Sequence, residues 1–83
     1  DMLKLLLENA NKSKFDNYVT ILDTGIGYLN VRSGPGKEYD VVIQVYTDEV
    51  YELLDEEDAW TKIEINGVDE AWVSNDYIII TKQ

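Results

Sequence analysis

Seven carboxylates and no base fall in the eleven residues from Asp48 to Asp58: Asp48, Glu49, Glu52, Asp55, Glu56, Glu57 and Asp58. Carboxylates gathered this way support two kinds of chemistry. They can hold Ca²⁺, which takes about six to eight oxygen ligands. They can also act as an acid–base pair on a glycosidic bond, one partner holding its proton near neutral pH. The spacing fits neither. An EF-hand loop needs a glycine at its sixth position and a glutamate at its twelfth, and a protonated carboxyl needs burial to raise its pKa. The run instead reads as a solvated hairpin tip, with no metal and no catalysis.

The aromatic residues are the second candidate. Tyr18, Tyr28, Tyr39, Tyr46, Tyr51, Tyr77, Trp60 and Trp72 are many for a chain of 83 residues. Large rings fill a small core, and rings with polar tips also make recognition surfaces at low entropic cost. Trp72, between Ala71 and Val73, is expected to anchor the core. Trp60 follows the acidic run and is expected to be part-exposed. Arg32 is one of four bases after residue 18, against fourteen acids. A guanidinium can clamp a carboxylate through two parallel hydrogen bonds.

Composition removes several other classes. The chain has no cysteine and no histidine, which excludes thiol and imidazole catalysis and zinc sites built from them. No cofactor is expected, because the glycines at 25, 27, 34 and 36 lack the spacing of a dinucleotide loop. A net charge of −10 repels phosphate backbones and anionic headgroups, so neither nucleic acid nor a membrane surface is an expected partner. No apolar run approaches the ~20 residues that a membrane span needs. Eighty-three residues make one domain with a small core. A chain beginning at Asp1 reads as a processed product or as part of a longer protein.

The elements that position these residues follow from periodicity. Leu3, Leu6, Leu7 and Ala10 lie at i, i+3, i+4 and i+7, which predicts a helix over residues 2–11 with one leucine face. So short a helix must pack on something to persist. Its own domain is the first expectation, and self-association through Leu3, Leu6 and Leu7 is the second. Strands are expected at Val19–Leu22, Leu29–Arg32, Val41–Tyr46, Val50–Leu54, Trp60–Ile65, Ala71–Val73 and Ile78–Thr81. Thr61, Ile63 and Ile65 should share one face. Asn66-Gly67 predicts a type I′ hairpin turn, with φ > 0 at both residues. Asn75-Asp76-Tyr77 suits a single helical turn. Short strands with frequent turns and no second helix describe a small β-barrel.

One ordered set of motifs resembles a known family. Leu29-Asn30-Val31-Arg32-Ser33-Gly34-Pro35, then Tyr39 and Val42-Ile43, resembles the opening of bacterial SH3 (SH3b) domains. Trp60-Thr61-Lys62-Ile63, Asn66-Gly67 and Ala71-Trp72-Val73-Ser74-Asn75-Asp76-Tyr77-Ile78 resemble its closing strands. Thr47-Asp48-Glu49 departs from the family, which usually carries a glycine there. The resemblance runs from about Val19 to Ile80. It implies a mainly β fold, an SH3-like β-barrel over 19–83, with the short N-terminal helix and connector over 1–18.

The resemblance also implies a non-catalytic binding module of the bacterial cell envelope or extracellular space. Such a module recognises a peptidoglycan peptide or cross-bridge and targets an attached domain, as in a larger cell-wall hydrolase. The acidity disfavours polyanionic wall polymers as ligands. Carried onto this chain, the groove residues are Asn30, Arg32, Tyr39, Trp60 and Tyr77. Each has a structural alternative: Asn30 and Arg32 can bond loop carbonyls, and Tyr39 and Tyr77 can close the barrel ends. The other functional reading is a structural or regulatory module that packs on a neighbouring domain or partner protein.

Overall fold

A computed structural model describes residues 16–83. The helix expected over 2–11, and self-association through Leu3, Leu6 and Leu7, lie outside the described residues.

Seven strands follow in order: β1 (Asn17–Ile21), β2 (Tyr28–Arg32), β3 (Val41–Tyr46), β4 (Val50–Glu57), β5 (Trp60–Ile63), β6 (Trp72–Ser74) and β7 (Ile78–Lys82). A 3-10 turn, Asn75–Tyr77, joins the last two. All neighbouring strands pair antiparallel in the order β3-β2-β6-β5-β4-β1-β7. The mainly β expectation holds among the described residues.

Alternation within the strands builds the core. Val19 and Ile21 of β1, Leu29 and Val31 of β2, Val45 of β3, Ile63 of β5, Val73 of β6 and Ile78 of β7 are all buried in one cluster, together with Ala71. Six of the seven strands feed it, so the sheet curls around a single interior. Each such side chain contributes about 1.5–3 kcal/mol on burial. Thr61 is the one buried polar residue of the described chain, placed inward by the expected parity of β5. Ile65 packs half-buried against the same cluster.

The turns show where local chemistry was overruled. The acidic end of the run is exposed at the end of the β4–β5 hairpin as expected, but β4 extends beyond Leu54 through Glu57 and pairs Asp55, Glu56 and Glu57 with Lys62, Thr61 and Trp60. The connection is only Asp58-Ala59. Pairing with β5 satisfies the backbone, and carboxylates on the solvent side of a strand cost it little. At Asn66-Gly67 only the glycine has positive φ, +85°. The turn therefore has the φ pattern of type II, not the expected I′, and it closes with the Val68 amide on the Ile65 carbonyl at 3.0 Å.

At Tyr46–Glu49 the chain makes a tight turn without glycine, and Asp48 adopts φ +71°. Two bonds to β1 hold it there. The Asp48 amide donates to the Ile21 carbonyl (2.8 Å) and the Ile21 amide to the Glu49 carbonyl (2.9 Å).

Candidate functional site

Parity along β2 builds the floor of one open cleft. Leu29 and Val31 point inward, so Tyr28, Asn30 and Arg32 stand in a row on the outer face. All three line a cleft of about 200 Å³. Trp60, which pairs with Ser74 across β5 and β6, closes one side, and Tyr77 of the 3-10 turn closes another. The rim comes from the loop before β2. There the Thr24 hydroxyl donates to the Tyr28 carbonyl at 2.7 Å, and Asp23 accepts from the Gly25 amide at 2.8 Å. Gly25 and Gly27 both have φ near +90° (+88° and +87°), a region that suits glycine. Between them Ile26 projects over the cleft, 66% exposed.

Of the five residues expected from the sequence, Asn30, Arg32, Trp60 and Tyr77 come together here. Tyr39 does not line the cleft. Its ring lies so close to Gly34 that a Cβ there would approach within 2.5 Å, and its carbonyl accepts from Arg32 Nη1 at 3.0 Å. That bond folds the Ser33–Asp40 loop back on the strand. Asn30 has its own cross-strand partner, since Gln44 Nε2 donates to its Oδ1 at 3.2 Å.

Sequence reasoning missed Lys37, Tyr28 and Ile26. Tyr28 shares the parity of Asn30 and Arg32, a signal present in the sequence. Lys37 had only its scarcity as a base to mark it.

The electrostatics of the cleft differ from those of the rest of the surface. Lys62 pairs with Glu70 at 3.0 Å and Lys82 pairs with Glu56. Arg32 and Lys37 pair with no carboxylate among the described residues, and both line the cleft. Two cations with no carboxylate partner among the described residues, beside three aromatic rings, can receive an anionic group, flanked by apolar or planar surface.

Trp72 departs from the expected core anchor. It is 6% exposed, yet it faces away from the interior that Ala71 and Val73 occupy. Its cross-strand neighbours are Arg32 on β2 and Lys62 on β5, and its indole N–H donates to Glu70 at 3.1 Å. The ring is therefore covered from the solvent side. Ala71 and Val73, two residues apart, claim the inward parity and leave the residue between them outside.

Residues 27–79 match the bacterial SH3 domain family. The chain is also 36% identical over 55 residues to the "Putative N-acetylmuramoyl-L-alanine amidase YrvJ" of Bacillus subtilis (strain 168). That alignment covers 66% of this chain and 10% of the relative, so the chain corresponds to a small part of that protein's length. The match spans the cleft residues from Tyr28 to Tyr77, with Thr24 and Ile26 of the rim outside it, and more than half of the sequence. The chain belongs to the bacterial SH3 domain family.

Proposed function

We propose that this chain is a non-catalytic binding module of the bacterial cell envelope, and that its cleft takes a short wall peptide or cross-bridge. In a longer protein it would bring an attached wall-acting domain to its substrate. One observation carries the reading: the two cations without a carboxylate partner among the described residues, Arg32 and Lys37, line the aromatic cleft. Elsewhere the surface is dominated by carboxylates, which disfavours long anionic polymers. A stem peptide offers its carboxylates on a short chain, not as a long run of like charge. Arg32 and Lys37 would receive one such carboxylate, while Trp60, Tyr77 and Tyr28 would pack on the peptide's planar amides and methyl groups. Membership of the family and the name of the relative agree with this setting.

The test is an NMR titration of ¹⁵N-labelled protein with soluble muropeptides and with the same peptides amidated at their free carboxylates. The expected result is shifts at Tyr28, Asn30, Arg32, Lys37 and Trp60, weakened about tenfold by amidation or by Arg32→Gln. Absence of shifts at millimolar peptide would overturn it.

A further inference from the structure

β3 is an edge of the sheet, paired with β2 on one side and with no strand on the other among the described residues. Ten large apolar residues are exposed among those described, and five of them fall between Tyr39 and Tyr46: Tyr39, Val41, Val42, Ile43 and Tyr46. The strand itself, Val41–Tyr46, holds no charged residue and no proline. Charges and prolines are two of the usual means by which an edge is kept from pairing. Ile43 shows the consequence. It pairs with Val31 and shares its inward parity, yet Val31 is fully buried and Ile43 is 41% exposed. Among the described residues no strand lies beyond β3 to cover it.

The main chain of this edge is open as well. Tyr46 donates its amide to Glu49 Oε1 at 2.8 Å and accepts from the Glu49 amide at 3.1 Å, so it presents its main chain away from β2. Antiparallel ladders alternate, and Gln44, two residues back, therefore presents its amide and carbonyl to the same side. The register shift opposite Val31 and Arg32 makes Val42 the extra residue of a bulge, which leaves it outside the β2 ladder. Glu49 occupies the main chain of Tyr46. No loop amide or side chain among those described does the same for Val42 or Gln44.

We propose that β3 takes an extended peptide segment of a partner protein as an added strand, apolar at alternate positions and basic at its ends. Open amides and carbonyls along an edge call for an extended main chain as the occupant. Its inward side chain covers Ile43 and so must be apolar. Charge sets the ends. Asp40 precedes the strand and Asp48 follows it, both exposed and neither in an ion pair among the described residues. Arg32, opposite Val41, and Lys37 line the cleft instead. A second copy of the chain is disfavoured, because two bodies of net charge −10 repel. The edge is a separate site, since no residue of β3 lines the cleft.

The experiment titrates the full ¹⁵N-labelled chain with an end-blocked peptide of alternating valine and threonine flanked by lysines. Two relatives of that peptide serve as controls, one N-methylated throughout and one flanked by glutamates. The expected result is shifts at Val42, Ile43 and Gln44 with Trp60 and Tyr77 unmoved, and exchange of the Gln44 amide slowed about tenfold. Glutamate flanks should weaken binding about tenfold, and N-methylation should abolish it. Val42→Lys, exposed and outside the buried cluster, should also weaken it about tenfold. Shifts confined to the cleft would overturn the proposal, as would undiminished binding of the N-methylated peptide or no shift at millimolar peptide. A Gln44 amide already slow to exchange in the free chain would do the same. So would a concentration-dependent dimer in sedimentation that V42K disperses, since a second copy would then occupy the edge.

Discussion

The indole N–H of Trp72 donates to the carboxylate of Glu70 at 3.1 Å, two residues away on the same stretch of chain. The other oxygen of Glu70 accepts from Lys62 at 3.0 Å. The Trp72 bond first, and the Lys62 bond and charge after it, hold the Glu70 carboxyl below its ordinary value of 4.5. The folded state favours the ionised form. Its contribution to stability is therefore complete above the ordinary carboxylate value and is lost as pH falls through the lowered one. In a Trp60→Phe background the remaining indole should report this as an acid transition in fluorescence. Glu70→Gln keeps an acceptor for the indole but removes the charge, and should abolish that transition.

Alkali should act at Tyr51. Burial first, and then the hydrogen bond and charge of Glu49 at 2.8 Å, push its phenol up to about 12 from 10.0. Both favour the neutral form in the folded protein. The stability it confers is full below pH 10 and is lost as pH rises from there through about 12. Urea midpoints measured across that window should fall, and Tyr51→Phe should flatten the decline.

Asp48 stands at φ +71° in a turn where glycine would be unstrained. Asp48→Gly should be neutral or raise stability by up to about 1 kcal/mol, the relief of left-handed strain being partly offset by the freer unfolded chain. Asp48→Val, β-branched at the same φ, should cost about 1–2 kcal/mol. Paired thermal melts of the two variants measure both.

Thr61 is fully buried and its hydroxyl donates to Asn75 Oδ1, while the Asn75 amide nitrogen reaches the Asp58 carbonyl at 3.4 Å. The Asn75 backbone amide adds a bond to the Ala59 carbonyl at 2.9 Å. This one side chain fastens the β4–β5 turn to the 3-10 turn that carries Tyr77. Asn75→Ala should cost about 1–3 kcal/mol, because the Thr61 hydroxyl is left buried without a partner. Thr61→Val in that background should recover part of the loss, a coupling that denaturant melts of the four proteins resolve.

Much of the fold was legible residue by residue. Leu29 and Val31, and Thr61 and Ile63, announce their inward faces by alternation. Asn75-Asp76-Tyr77 follows a serine whose side chain does accept from the Asp76 amide. The acidic end of β4 is exposed as its residues argue, but the strand runs three residues further than Leu54. Pairing with β5 carries it to Glu57, and a carboxylate on an outer face does not oppose that pairing. Asn66 was misread because the dipeptide is compatible with two turns, and the flanking geometry chose the one with Asn66 at negative φ. Trp72 was misread on size, although Ala71 and Val73 around it had already taken the inward parity.

The sequence by itself determined the class, the parity of most strands and the family, since these depend on residue types at short spacing. It also determined that any chemistry here proceeds without cysteine or histidine. Tertiary structure decided which polar and aromatic residues meet. Arg32, Lys37, Trp60 and Tyr77 come from a strand, a loop, a second strand and a 3-10 turn, far apart in the chain. Only the pairing of β2 with β6 and of β6 with β5 brings them around one cleft. Tyr39, nearer to Arg32 in sequence than any of the other three but Lys37, is turned aside by its close approach to Gly34. Neighbourhood in a sheet is set by strand order and register, which short-range patterns do not encode.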